Sequence, residues 1–298
     1  MKPKKPSRVA LVVNTRRTNS RKVALDAIKW LETRGVHVFL EKSLGTFLKR
    51  PDLSSDESVL RKEAQVVLAI GGDGTILRAA KAVRGTRAVV LGVNLGSLGF
   101  LSDIKLCDLY PALERIMKGD YEVERRMMVE ARVEDFRKSI HSYEALNDIV
   151  ICKTASSRAL RMRLLVSGRL LGKFTADGLI VSTPTGSTAY SLSAGGPIMK
   201  PTMSALLATP ICAHSLAARP LVVPGEETLT VELAPRDTTA KLIADGHESF
   251  DLHPHHIVRF HKARVCANLV SARGVSFYDV LREKFKWGGV PARDARGN

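Results

Sequence analysis

Long hydrophobic runs are missing from this 298-residue chain. No apolar stretch reaches the about 18 to 20 residues that cross a bilayer as a helix, which excludes helical membrane-spanning classes. The basic opening Lys2-Pro3-Lys4-Lys5 is followed only by the short run Val9–Val13 before Asn14 and two arginines. That run is shorter than the about 7 to 15 residues of a secretory core, so a cytoplasmic protein is expected, with no membrane partner. Cysteine is scarce and scattered: Cys107, Cys152, Cys212 and Cys266 form no Cys-x-x-Cys, which argues against a disulfide framework or a zinc ribbon. Aromatics are 5% of residues, and none interleaves with the basic N-terminal cluster as a single-strand stacking platform requires. Acidic side chains number 30 against 46 basic ones, giving a net charge of +16. Spread along the chain, this charge favours polyanionic ligands, phosphorylated small molecules among them, without specifying a nucleic-acid partner.

What is present is globular: 45% hydrophobic and 26% charged residues, enough for one large or two ordinary domains. The first third alternates buried-strand runs (9–13, 36–40, 64–70, 88–93) with amphipathic helical stretches, one through Val23, Leu25, Ile28 and Leu31, another through Ile76, Leu77, Ala80 and Val83. That alternation predicts right-handed crossovers and a mainly parallel sheet, an α/β domain over residues 8–122. Beyond residue 122 short β-favouring runs dominate (127–133, 149–152, 160–166, 179–181, 221–223, 228–233, 241–243, 257–260, 265–270), predicting a β-rich second domain over 123–275. Ser276 to Trp287 reads as an amphipathic helix, and residues 1–7 and 288–298 as tails.

The sharpest motif is Gly71-Gly72-Asp73-Gly74-Thr75, where a buried strand ends and a helix begins, the usual binding edge of an open α/β sheet. Its glycines allow positive φ and let a ligand lie against bare amides, and the helix start favours phosphate. A carboxylate inside a phosphate cradle is unfavourable unless it holds a metal or takes a proton. The plainer reading is a tight βα turn with Asp73 as helix cap. Neither the Walker A pattern nor the dinucleotide fingerprint fits, since Leu77 stands where the third glycine belongs. A second block runs from Asp177-Gly178 through Ser182-Thr183-Pro184-Thr185-Gly186-Ser187-Thr188-Ala189-Tyr190-Ser191-Leu192-Ser193 to Gly195-Gly196-Pro197. Hydroxyls at that density suit sugar and phosphate oxygens, and Tyr190 is placed to stack on a base. Asn94-Leu95-Gly96-Ser97-Leu98-Gly99-Phe100 shares the sheet edge of Asp73, and Asn147-Asp148 offers donors and acceptors for a ribose diol. His253, His255, His256 and His261 have no acidic or cysteine partner at ligand spacing and read as a solvated strand edge. No Gly-x-Ser-x-Gly elbow supports serine hydrolysis.

Taken in order, these motifs closely resemble those of the NAD kinase family, from about Val9 to the C-terminal helix. Gly-Gly-Asp-Gly-Thr alone is shared with lipid kinases and phosphofructokinases, whereas the Thr-Pro-Thr-Gly-Ser-Thr-Ala-Tyr-Ser block is far more specific. The resemblance implies ATP-dependent transfer of phosphate to the 2′-hydroxyl of the adenosine ribose of NAD, giving NADP, and a divalent cation, usually magnesium. It implies an N-terminal α/β domain, a C-terminal β-sandwich domain, a final helix returning to the first domain, and a homo-oligomer, dimer or tetramer. On this resemblance Asp73 is the catalytic base with Gly72, Gly74 and Asn94 beside the ligand. Asn147, Asp148, Arg158, Asp177, Thr188, Ala189, Tyr190, Ser191, Leu192, Ser193 and His247 fall at dinucleotide contacts, and the metal ligands are left unassigned. Two positions depart from the family: Thr175 stands where some members carry arginine, and His247 where glutamine is common. A lipid kinase would share the Asp73 turn but call for an apolar acceptor pocket. A non-catalytic NAD(H) sensor would use the same pocket without turnover.

Overall fold

The computed structural model describes residues 5–96, 99–101, 104–136, 138–154, 159–215, 217–234, 240–271 and 276–287. Arg158, Ser97, Leu98 and the expected C-terminal tail lie outside the described residues. The chain divides into two compact units, one of residues up to Glu124 together with those from Asn268 on, the other Arg125–Ala267.

The first unit begins β1 (Arg8–Val13), α1 (Ser20–Glu32), β2 (His37–Glu41), α2 (Lys42–Leu48), β3 (Ser54–Ser55) and α3 (Glu57–Glu63). It continues β4 (Val66–Gly71), α4 (Asp73–Ala82), β5 (Val89–Asn94), β6 (Ile104–Lys105) and α5 (Leu109–Met117). Strands β3-β2-β1-β4-β5-β6 lie side by side and all parallel. Every residue of β4 and β5 is buried, as helices on both faces require of a parallel sheet. Ala24, Ala27, Ile28 and Leu31 of α1 are buried at i, i+3, i+4 and i+7 spacing, one apolar stripe against the sheet. Chain order reverses between β1 and β4, and that switch point is where open α/β sheets bind ligands.

The second unit follows with β7 (Glu122–Asp135), β8 (Lys138–Ala145), β9 (Asp148–Lys153), β10 (Leu160–Val166), β11 (Arg169–Ala176) and β12 (Gly178–Ser182). Then come α6 (Tyr190–Ser193), β13 (Ala205–Ile211), β14 (Leu221–Pro224), β15 (Leu229–Leu233), β16 (Ala240–Ala244), β17 (Glu248–Leu252) and β18 (Ile257–Ser271). One antiparallel sheet runs β14-β13-β12-β9-β16-β17; facing it are β11-β10-β15-β18, extended by β7 and β8. Alternate residues of both sheets, among them Met162, Val231 and Phe260 from one and Ile151, Leu179 and Leu242 from the other, form a single core, a β-sandwich. The chain closes with α7 (Phe277–Phe285) in the first unit, capped by a reciprocal Ser276–Asp279 box, its Phe285 ring 6.1 Å from that of Phe100. Among the described residues no helix is long and apolar enough to cross a membrane.

Several elements differ from the sequence reading. Strands β8, β11 and β17 went unread because they are largely solvent-exposed and carry polar residues, and β11 also carries Gly172, a poor strand former. Strand β13 carries Pro210, which argues against a strand from sequence alone. Helix α5 hides its periodicity behind Pro111, a residue its first turn tolerates.

Candidate active site

In the first unit, β4 ends at Gly71 in register with Asn94 at the end of β5. Helix α4 starts at Asp73 with Gly72 as its N-cap, so Asp73 occupies the first helical position and is not the cap. Its carboxylate is held from the opposite loop: Oδ2 accepts the Phe100 amide at 2.9 Å and Oδ1 the Leu101 amide at 3.2 Å. Asn94 Oδ1 accepts the Gly96 amide at 3.0 Å, closing an Asx turn that starts this loop. None of Gly71, Gly72 and Gly74 adopts positive φ, which corrects the conformational part of the sequence argument. Gly71 is needed for close packing, since a Cβ there would stand 2.9 Å from Asn14 Cβ and overlap Thr75. Among the described residues nothing lies within 4 Å of where a Cβ would stand on Gly72 or Gly74, which leaves them open toward the α4 N-terminus.

Gly99 supports the carboxylate differently. A Cβ there would overlap Asp73 Oδ1 and stand 2.8 Å from its Cγ. A side-chain end can swing away, so Gly99→Ala is expected to fold normally but displace the carboxylate. A misplacement near 1 Å costs on the order of 10²-fold in rate. Steady-state kinetics beside a thermal melt check this: kcat falls while Tm stays unchanged.

In the second unit, the Asn147-Asp148 turn is locked from two sides. Thr183 donates its amide to the Asn147 carbonyl at 2.9 Å and its hydroxyl to the Leu146 carbonyl at 2.6 Å. From the other side Asp245 accepts three successive amides, Leu146 at 2.8 Å on Oδ2, Asn147 at 2.8 Å and Asp148 at 3.2 Å on Oδ1. Asp245 sits at φ 46 in the turn after β16, a conformation aspartate tolerates better than most residues. Asp148 is 6% exposed, and burial, with Asp245 beside it, pushes its carboxyl up to about 7. Asp245 is also raised by burial, but its three amides and His247 pull the other way. The amides therefore favour negative charge on Asp245 over Asp148.

The hydroxyl-rich block is less open than its composition implies. Thr183, Thr185, Ser187 and Ser191 are buried, and their bonds run within the protein: Ser187 to the Pro184 carbonyl and Met199 amide, Ser191 to Thr209 at 2.7 Å. The block folds after β12 into two short helical turns, Gly186–Thr188 and α6. Thr188, Ala189 and Leu192 are half-buried, while Ser193 and Tyr190, the latter 48% exposed, are open to a ligand. Asp177 is paired with Lys153 at 2.8 Å, and the exposed His247 donates from Nδ1 to the Asp245 carbonyl at 2.5 Å. Thr175, at the other departure from the family, gives its carbonyl to the His214 amide.

The histidine cluster is not a bare strand edge. Asp135, from the distant end of β7, brings an oxygen within 4.8 Å of ring nitrogens of His255 and His256. Sequence spacing could not show a partner 120 residues away. His256 Nδ1 accepts the His253 amide at 3.1 Å, which places the neutral ring's proton on Nε2 and leaves no free lone pair there for a metal.

The first unit thus carries a glycine-bounded carboxylate at the switch point of a doubly wound sheet, and the second a β-sandwich with a rigid polar turn; the comparisons with known proteins place such a chain among the kinases. Residues 9–121 match the ATP-NAD kinase N-terminal domain and residues 146–272 the ATP-NAD kinase C-terminal domain. The chain is 43% identical over 283 residues to the NAD kinase of Moorella thermoacetica, covering 95% of this chain and 90% of that protein. It is 44% identical over 270 residues to that of Citrifermentans bemidjiense, covering 89% and 93%. Its fold matches yeast NADH kinase solved with NADH (TM-score 0.86, 25% identity, 98% of this chain and 90% of that one). It also matches an NAD kinase from Archaeoglobus fulgidus solved with ATP (TM-score 0.73, 26% identity, 94% and 98%). The chain belongs to the NAD kinase family, and its activity is ATP-dependent phosphorylation of NAD.

Proposed function

We propose that this enzyme transfers the γ-phosphoryl group of ATP to the 2′-hydroxyl of the adenosine ribose of NAD, forming NADP, with Asp73 as general base. The observation that carries the base assignment is the Asp73 carboxylate, aimed by two amides beside unobstructed Gly72 and Gly74. A ribose hydroxyl is a poor nucleophile, and a carboxylate takes its proton as the new P–O bond forms. Phosphoryl transfer otherwise depends on positioning and on neutralising charge. The first turn of α4 supplies amides and partial positive charge for the triphosphate, and Asn94 fixes the loop that aims the base.

In the second unit Asn147, Asp148, Asp177 and His247 are the proposed polar contacts of NAD, with Arg158. Tyr190 gives a face for the adenine, flanked by Thr188, Ala189, Leu192 and Ser193, while Ser191 holds this segment through Thr209. A divalent cation, magnesium, belongs to the same proposal. Among the described residues no group of three metal ligands adjoins Asp73. One carboxylate fits an ion carried in by the triphosphate, as magnesium commonly is, and not a protein-built cage. Bound in that way, the ion supplies charge neutralisation on the transferring group. The proposal extends to a cytoplasmic homo-oligomer acting on small molecules. Incubating purified protein with NAD, ATP and magnesium tests it: the product should serve an NADP-specific dehydrogenase. Phosphorylation at another hydroxyl would overturn it.

A further inference from the structure

The Asp73 carboxylate takes its aim from two backbone amides, those of Phe100 and Leu101, on one short segment between β5 and β6. That segment lies hard against the carboxylate. A Cβ on Gly99 would overlap Asp73 Oδ1, so a shift of one is passed to the other. What steadies the segment comes from the other end of the chain. The half-buried Phe100 ring meets the last turn of α7: the Phe285 ring centre is 6.1 Å away, inclined at 41°, and Lys284 Nζ stands 5.8 Å from the Phe100 ring centre. Both separations are those of favourable ring–ring and cation–ring contact.

The end of α7 is shaped to present these groups. Val280 and Leu281 are buried, and the Ser276–Asp279 box fixes the first turn. At the other end Lys286 adopts φ 54, and the Trp287 amide reaches the Arg282 carbonyl at 3.2 Å, the Schellman closure in which glycine is usual. That turn sets Trp287 against Phe285, their ring centres 5.1 Å apart and their planes inclined by only 23°. Phe100, Phe285 and Trp287 thus form a chain of three rings from the segment that holds the base to the surface, where Trp287 is 54% exposed.

Resting on the reading of Asp73 as the base, we propose that α7 is a positioning element of the active site. Phe285, backed by Trp287 and assisted by Lys284, bears on the Phe100 ring and so keeps the Phe100 and Leu101 amides where they aim the Asp73 carboxylate. The three side chains act wholly through that carboxylate. Their removal therefore costs rate only while there is a carboxylate to aim, which sets a positioning role apart from a general contribution to folding.

A double-mutant cycle, read by single-turnover phosphoryl transfer at saturating NAD, ATP and magnesium, tests this. Phe285→Ala is expected to slow transfer about tenfold or more, since a 1 Å misplacement costs on the order of 10²-fold. Phe285→Tyr, which keeps the ring, should transfer at close to the wild-type rate. In the Asp73→Asn background Phe285→Ala should slow transfer by less than about twofold, because the amide in place of the carboxylate takes no proton. Equal factors in the two backgrounds, or a wild-type rate in Phe285→Ala, overturn the inference. Tyr278→Ala, on the same helix at a side chain 63% exposed, should leave the rate unchanged. A loss there as large as in Phe285→Ala would assign the effect to the helix as a whole and overturn the inference too. Should Phe285→Ala melt below the assay temperature, Trp287→Ala at the exposed end of the rings carries the same cycle. A several-fold loss confined to the Asp73 background is then expected, and equal factors overturn the inference. Asp73→Asn transferring as fast as the wild type is a distinguishable result, which overturns the reading of Asp73 as base.

Discussion

Replacing Asp73 by asparagine is expected to lower kcat by about 10²- to 10⁴-fold, the contribution of a positioned general base. NAD affinity should change little, because the proposed dinucleotide contacts lie on other residues. The loss then falls equally on kcat and kcat/KM, the signature of an interaction made only in the transition state. The fold should survive with a modest penalty. Asparagine keeps one oxygen for either the Phe100 or the Leu101 amide but turns an NH₂ toward the other, a loss of about 1 kcal/mol. Single-turnover phosphoryl transfer, with NAD binding measured on the same sample, separates the two effects. A variant that binds NAD and transfers phosphate at near wild-type rate would remove Asp73 from the chemistry.

The second large effect is expected at Gly186. A Cβ there would stand 2.7 Å from Asn147 Cα and closer still to the Asn147 carbonyl carbon and oxygen. These are backbone atoms, pinned by Thr183 on one side and by Asp245 on the other, so they cannot move aside as a side-chain end would. Gly186→Ala should therefore pry the 183–188 segment off the Asn147-Asp148 turn, costing about 3 kcal/mol or more, the upper range for overpacking a core. Tm should fall by several degrees and NAD binding should be lost together with it. Gly72→Ala is the matching control, since none of the described residues comes within 4 Å of where its Cβ would stand and its φ is ordinary. It should melt like the wild type, so any loss of activity there reports on ligand approach. Equal destabilisation of both variants would contradict the packing argument.

Much of the first unit was legible in sequence because its central strands are buried on both faces and read as short, mostly Val, Ile and Leu runs without a polar residue before their closing glycine or asparagine. The edge strands were not, because a strand with a solvent face may carry almost any polar residue. Asp73 was legible because the glycines around it have no role in an ordinary helix start. Asp245 was missed altogether. Its function is exercised through backbone amides at Leu146, Asn147 and Asp148, which leave no side-chain signature, and its only local signal was the Asp-Gly of a turn. The hydroxyls of the 183–191 block drew notice for a direct role, yet most are spent holding the segment on the turn beneath it. For the same reason Asp135 was invisible beside the histidines, since only folding brings it there.

The central claim is that Asp73 removes the proton from the ribose hydroxyl that attacks ATP. Its most direct test is transfer of the γ-phosphoryl group to NAD in a single turnover by the wild type and by Asp73→Asn, each saturated with both substrates and magnesium. The account predicts NADP formation by the wild type and a rate about 10²-fold or more slower in the variant, with NAD still bound. Equal rates in the two proteins would contradict it.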